Sequence, residues 1–135
     1  MQVIIHENDN GGVSVTVPTG ELSIEAVKTK DTPSGSIIVD SDTLPNSDND
    51  FFDAWQLSGS TVSVNISKAK EITKKRLRAE REPLLAAQDV LFQRALETSA
   101  DTTAIVAEKQ RLRDITTQVD SATTTAQLRA MKAEA

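Results

Sequence analysis

The sequence predicts an α+β protein: a small N-terminal β-rich α/β module, residues 1–65, is followed by a long antiparallel helical hairpin and a short C-terminal helix, residues 66–135. Three observations support this prediction. Short β-branched runs separated by Asn- and Gly-rich turns occupy the first half. Residues 67–98 contain no glycine and a single proline, which favours a long helix. The charge also changes sign, because residues 1–57 carry a net −8 and residues 58–135 a net +3.

The strand signals lie in the first half of the chain. Residues 3–5 and 13–17 flank the segment Asn8-Asp9-Asn10-Gly11-Gly12, and Asn and Gly tolerate the positive φ angles of tight turns, so a β-hairpin is predicted. Residues 36–40 predict a third strand. Residues 61–66 alternate between polar and apolar side chains after Gly59, which predicts a last strand.

Two further segments lie between these strands. A short helix is predicted from near Glu21, with an apolar side formed by Leu22, Ile24, Ala26 and Val27. Residues 40–53 hold five Asp, two Asn and one Pro, a composition typical of an exposed loop whose Asp side chains bond to local backbone amides. A calcium site there is less favoured, because the order of acids in an EF-hand loop is absent. Phe51, Phe52 and Trp55 are expected to anchor the end of the loop to the core.

Helical periodicity begins at Ser67, the predicted N-cap of the first long helix. Pro83 predicts a kink or short break near residues 80–82, because proline removes a backbone donor. Asp101 is expected to cap a second, antiparallel helix from Thr102 to about Val119. A third helix, capped at Asp120-Ser121, would carry Leu128 and Met131. The apolar stripes expected to face the core are Leu77, Leu84, Leu85, Leu91, Phe92, Ala95 and Leu96 in the first helix and Ile105, Val106, Leu112, Ile115 and Val119 in the second.

The composition argues against catalysis. The chain has no cysteine, which excludes disulfides, thiolate zinc sites and cysteine nucleophiles. His6 is the only histidine, and we expect it at a strand edge or on the surface. Phosphate-binding glycine loops and the GxSxG motif are absent. We therefore expect no enzymatic activity, no metal site and no cofactor. There is no secretion signal and no apolar run near the roughly 18 residues that span a membrane, which predicts synthesis in the cytoplasm without membrane binding.

The most basic segment, residues 68–81, contains seven cations. One hypothesis is that they bind nucleic acid by neutralising phosphates, although no aromatic residues are interleaved for base stacking and the whole chain is acidic. A second is that they form the solvated side of an amphipathic helix. A third, which we favour, is that they pair with the acidic N-terminal module or with an acidic partner.

Several motifs resemble a known family. Residues 81–89 have the pattern R-x-x-L-L-x-x-x-D after a basic helix, and residues 112–115 read L-R-D-I. This region resembles the helical part shared by phage tail assembly chaperones and tail-fibre assembly proteins. More loosely, the N-D-N-G-G turn, the V-x-V-P strand end, I-V-D-x-x-x-x-P and F-x-x-A-W are similar to the small modules that precede it. The resemblance implies a noncovalent role in phage assembly.

We therefore expect a phage accessory protein that binds a tail or tail-fibre protein in the host cytoplasm and assists its assembly. The candidate partner-binding residues are Arg78, Arg81, Arg111 and Arg113, because a guanidinium group pairs with a carboxylate through two parallel hydrogen bonds. Two alternatives stay open: a permanent virion component, such as a tail or fibre adaptor or decoration protein, and a regulator that binds nucleic acid through residues 68–81. Homo-oligomerisation also stays open.

Overall fold

The computed structural model describes residues 1–134 and confirms the α+β class, with 57% of the chain helical and 16% in strands. The chain divides into two units, residues 1–69 and the residues from 70 onward. Both sheets lie in the first unit and the helical hairpin lies in the second. Within residues 1–134, no helix is both long enough and apolar enough to cross a membrane.

A three-stranded antiparallel sheet forms from β1 (Gln2–Glu7), β2 (Val13–Thr16) and β3 (Ile37–Asp40), in the order β2-β1-β3. The predicted β1–β2 hairpin is confirmed. Its turn is closed by Asn8, whose Oδ1 accepts hydrogen bonds from the backbone N–H groups of Asn10 (3.1 Å) and Gly12 (3.0 Å). Gly11 adopts a φ of +77°, a conformation in which a residue with a side chain would be strained.

A second sheet was not predicted in full. Strand β4 (Trp55–Ser58) pairs antiparallel with β5 (Thr61–Val64) through a tight turn at Gly59. The predicted last strand is therefore confirmed except at its end, because Ile66 already belongs to a helix. Strand β4 was missed because it has only four residues, too short a run to indicate a strand although apolar and polar side chains alternate in it. Pairing with β5 is what makes this segment extended.

The core of the first unit lies between these two sheets. Period-two alternation places Val3 and Ile5 on one face of β1, where they pack with Val13, Trp55 and Val62. Ile4 points to the opposite face and is also fully buried. Helix α1 (Ile24–Asp31) contacts β1 and buries Val27.

Helix α1 begins later than predicted. Its N-cap is Ser23, whose hydroxyl accepts a hydrogen bond from the N–H of Ala26 (3.2 Å). The prediction of a start near Glu21 was wrong by about one turn, and Leu22 remains 48% exposed. The cap explains the difference, because a serine side chain can satisfy an unpaired N–H of the first turn, whereas Glu21 and Leu22 do not cap it.

The Asp-rich segment is more ordered than an irregular loop. It forms 3₁₀ turns at Ser41–Thr43 and Asn46–Ala54. The expected bonding of Asp side chains to local amides is confirmed at Asp40, whose Oδ1 accepts from the N–H of Asp42 (3.0 Å). Phe51 and Trp55 are buried as predicted, and the indole N–H donates to the carbonyl of Asp48 (3.2 Å). Phe52 is 37% exposed and stacks at a tilt on Trp55.

Helix α2 runs from Ile66 to Glu97. Its first turn is capped by Asn65, whose Oδ1 accepts from the N–H of Lys68 (3.2 Å), so the prediction of Ser67 as the N-cap was wrong. Of the predicted kink or short break near residues 80–82, the break does not occur, because the helix continues through Pro83; the kink stays a prediction. The proline removes one bond, to the carbonyl of exposed Ala79, where water can replace it. Side chains on both sides of Pro83 are held by the following helix, as described below.

The second unit continues with α3 (Thr103–Asp114), a 3₁₀ turn at Ile115–Ser121 and α4 (Thr125–Ala130). The prediction of Asp101 as the N-cap was wrong by one residue, because the N-cap of α3 is Thr102, which makes no side-chain capping bond. The Oδ1 of Asp101, one residue earlier, accepts from the N–H of Thr103 (3.0 Å). The α-helical geometry ends at Asp114, about one turn before the predicted end. The predicted cap of the last helix at residues 120–121 was wrong, because Thr124 and Gln127 form a reciprocal capping box there.

Three contacts establish the antiparallel hairpin. Asp89 pairs with Lys109 (2.6 Å), Arg81 donates to the carbonyl of Arg113 (2.9 Å), and Lys74 pairs with Asp120 (2.9 Å). Positions later in α2 therefore meet positions earlier in the returning chain, as in an antiparallel pair.

The predicted apolar stripes are buried only in part. The buried side chains of the second unit are Thr73, Leu77, Ala95, Leu112, Ile115, Val119, Ala122, Leu128 and Ala133. Most of them lie at the end of the hairpin that the C-terminal segment covers. Leu91, Leu96 and Val106 near the tip are 45%, 58% and 48% exposed, so the prediction that they face the core was wrong. Two helices alone have too few neighbours to cover them.

Candidate protein-binding groove

Arg81 is held inside the hairpin. Its Nη1 donates to the carbonyl oxygens of Arg113 (2.9 Å) and Leu112 (3.4 Å). These carbonyls belong to the last turn of α3, where the helix dipole is negative, and the carbonyl of Leu112 also accepts from the N–H of Ile115. Arg81 therefore caps α3 from the side and fixes it against α2.

Arg111 is also engaged within the chain. Its Nε and Nη2 donate to the two carboxylate oxygens of Glu108 at 2.9 and 2.7 Å, and Nη2 also donates to the carbonyl of Ala133 (2.9 Å). The hydrogen bonds between them raise the pKa of Arg111 and lower the pKa of Glu108. Arg111 thus ties the C-terminal residues to α3.

Arg78 and Arg113, unlike Arg81 and Arg111, have side chains that are free of intramolecular bonds among the described residues. Both side chains are exposed, and neither makes a hydrogen bond or ion pair within residues 1–134. Arg81 lies between these two residues: it follows Arg78 by one helical turn and donates a hydrogen bond to the backbone carbonyl of Arg113. Of the four predicted arginines, these two keep all their donors available for another molecule.

Arg78 and Arg81 line a groove of about 490 Å³ on one side of α2. Its apolar lining residues are Leu85 and Ala86. The lining residues are Arg78, Arg81, Glu82, Leu85, Ala86 and Asp89. These positions follow the spacing i, i+3, i+4, i+7, i+8 and i+11, which places them along one face of a helix. The groove therefore brings together Arg78 and Arg81, whereas Arg111 and Arg113 are not among its lining residues.

The acidic end of the groove is fixed by Lys109. Its ammonium group pairs with Asp89 (2.6 Å) and lies 5.2 Å from the centre of the Phe92 ring. A cation over an aromatic face is attracted by the ring's electrons. Sequence reasoning did not identify Leu85 and Asp89 as groove residues, although their helical spacing from Arg78 was a usable signal.

Five of the seven cations in residues 68–81 are bonded within the chain. Lys68 donates to the carbonyl of Gly11 (3.4 Å) and Lys70 to that of Asp120 (3.1 Å). Arg76 pairs with Glu80 and also donates to the carbonyls of Leu128 (3.0 Å) and Met131 (2.8 Å). Lys74 and Arg81 make the bonds described above, which leaves Lys75 and Arg78 without a hydrogen bond or ion pair in the described part of the chain. The segment is therefore not a continuous free basic face.

The remaining candidates are isolated. Among residues 1–134, no group of three His, Asp or Glu side chains is arranged to hold a metal ion. His6 was expected at a strand edge or on the surface, but it lies half-buried on β1, the central strand. Its Nδ1 is buried without a hydrogen-bond partner.

Comparisons with protein-family models, curated proteins and solved structures found no match to this chain.

Proposed function

We propose that this chain is a noncovalent phage accessory protein that binds a tail or tail-fibre protein through the groove on α2 and assists its assembly. The observation that carries the proposal is the groove itself, in which apolar Leu85 and Ala86 share the lining with the unpaired guanidinium of Arg78. The phage context comes from the resemblance of residues 81–89 and 112–115 to tail assembly chaperones and tail-fibre assembly proteins.

The groove favours an amphipathic partner segment with an acidic flank. An apolar partner side chain would lie on Leu85 and Ala86, and a carboxylate would accept two hydrogen bonds from Arg78. Arg113 supplies a second free cation on the neighbouring helix. An exposed ion pair contributes only about 0.2–1 kcal/mol, so most of the affinity would come from apolar burial. The arginines would set the orientation and the association rate.

The proposal is tested by measuring capture of the separately produced tail and tail-fibre proteins of the parent phage. Arg78→Glu replaces an attraction at the groove by a repulsion and should slow association and weaken capture several-fold. Lys75→Glu is the matched control, because Lys75 is also an unpaired cation of α2 but does not line the groove. Arg81→Glu is unsuitable as the main variant, since Arg81 also holds α3 in place. Equal capture by the two glutamate variants would contradict the proposal.

The same protein could act during assembly or stay in the virion. Quantitative mass spectrometry of purified particles separates the two roles. We expect the chain to be abundant in infected-cell lysate and absent from particles. A fixed copy number relative to the major tail protein would instead identify a structural component, bound through the same groove.

A further inference from the structure

We infer that α2 also carries a self-association surface, on which a second copy of this chain packs antiparallel and centred on Ala87. This surface is separate from the groove. We call it the outer stripe, and it consists of Glu80, Pro83, Leu84, Ala87, Val90, Leu91 and Arg94. At 100° per residue these positions fall within an arc of about 120° on one side of the helix.

The outer stripe is covered by the C-terminal segment only at its beginning. At Arg76 and Glu80 the C-terminal segment covers this side of α2, through bonds from Arg76 to the carbonyls of Leu128 and Met131. Beyond Glu80 that cover stops. Val90 is 50% exposed and Leu91 is 45% exposed, with exposed Pro83 and Ala87 beside them. Contiguous exposed apolar residues on a soluble domain mark an interaction surface.

The outer stripe is complementary to itself. Leu84 and Val90 lie three residues before and after Ala87, Pro83 and Leu91 lie four, and Glu80 and Arg94 lie seven. In a two-fold antiparallel pair, each position meets the position equally far from the centre on the other copy. Apolar residues therefore meet apolar residues, and the small side chain of Ala87 allows the two helices to approach closely at the axis.

The charges at the two ends determine the orientation. Antiparallel packing places Arg94 of each copy against Glu80 of the other, giving two opposite-charge contacts, whereas parallel packing would place like charges together. The Arg94 side chain makes no hydrogen bond or ion pair within residues 1–134. The Oε2 of Glu80 pairs with Arg76 and its Oε1 accepts a long hydrogen bond from the N–H of Ala133 (3.5 Å), but the side chain remains 35% exposed. A carboxylate has enough lone-pair sites to accept a further cation.

The size of the outer stripe predicts a weak dimer. From Glu80 to Arg94 the helix rises about 21 Å. One helix face of this length buries less than the roughly 800 Å² per partner of a standard stable interface. We therefore expect dissociation in the micromolar range, so that dimers form at high protein concentration and monomers predominate on dilution.

Sedimentation equilibrium over the micromolar concentration range tests the inference. The wild-type chain should dimerise, Arg94→Glu should be monomeric, and Arg94→Lys and Lys75→Glu should dimerise as the wild type does. Arg78→Glu should also dimerise, because the groove is not used. A wild-type chain that stays monomeric throughout, or an Arg94→Glu variant that dimerises normally with unchanged helix content, would overturn the inference.

A disulfide variant tests the register directly. The natural chain has no cysteine, so each introduced thiol is unique. Ala87→Cys should oxidise to a disulfide-linked dimer, because a residue at the two-fold axis comes close to its own copy. Ala107→Cys, an exposed alanine on α3, should remain monomeric under the same oxidation. Equal crosslinking of the two variants would refute the centre at Ala87, whichever protein the groove binds.

Discussion

The clearest test of the packing compares two leucines of the same helix. Both Leu77 and Leu96 belong to the apolar stripe predicted for α2, but Leu77 is fully buried and Leu96 is 58% exposed. Replacing a buried leucine by alanine typically costs about 2–5 kcal/mol, because burial is lost and a cavity remains. Leu77→Ala should therefore lower the free energy of unfolding by that amount.

Leu96→Ala serves as the internal control. More than half of the Leu96 surface is already in water, so less than half of the roughly 1.5–3 kcal/mol gained on full burial of a leucine is at stake. Alanine is also a slightly better helix former than leucine. We expect a loss of no more than about 1 kcal/mol for this variant.

Urea denaturation followed by far-ultraviolet circular dichroism measures both variants, at one low protein concentration and with the denaturant slope compared to the wild type. The midpoint for Leu77→Ala should fall much further than that for Leu96→Ala. Equal losses would refute the difference in burial between Leu77 and Leu96 on which the expected values rest.

Three further predictions concern helix ends and one ion pair. Ser99 adopts a φ of +56° at the end of α2, where the N–H of Ala100 donates to the carbonyl of Ala95 (2.8 Å). Glycine adopts such a φ without strain, so Ser99→Gly should raise the free energy of unfolding by about 0.5–1 kcal/mol in the same urea assay. An unchanged or lower value would contradict this prediction. The hydroxyl of Thr124 caps α4 by accepting from the backbone N–H of Gln127 (3.2 Å). Thr124→Ala removes this cap and should lower the free energy of unfolding by about 1 kcal/mol. A loss near zero would mean that the capping box contributes nothing to stability. The pKa of Glu108 is lowered by its hydrogen bonds to Arg111, so the stability from this pair is complete above the unfolded-chain pKa and is lost as pH falls through the folded-state pKa. The difference in urea midpoint between wild type and Glu108→Gln should therefore shrink in acid, and a difference that is constant with pH would disprove the assignment.

Only part of the candidate site could be predicted from the sequence. Helical spacing along α2 was sufficient to place Arg78 and Arg81 on one face, and the same spacing extends to Leu85 and Asp89. It could not show that Arg81 donates a hydrogen bond to the carbonyl of Arg113, or that Arg111 donates one to the carbonyl of Ala133. Those acceptors lie 32 and 22 residues away in the chain, and no local pattern reports such separations.

The elements that the sequence determined by itself are those whose cause is local. The Asn8 turn and the alternation of residues 13–17 were enough for the β1–β2 hairpin, and an almost uninterrupted helical composition was enough for α2. Asp101, expected at the start of α3, likewise bonds to a backbone N–H only two residues away, although Thr102 is the N-cap. In each case the physical reason is a backbone preference or hydrogen bond that lies within a few residues of its signal.

Tertiary structure decided the features that depend on distant neighbours. Strand β4 exists because β5 pairs with it, and α2 continues through Pro83 while side chains on both sides of it are bonded to α3. Burial of Leu77 and exposure of Leu91 follow from where the C-terminal segment stops, although both leucines occupy equivalent positions in the repeat. Periodicity shows which side chains share a face of a helix, but only packing shows whether anything covers that face.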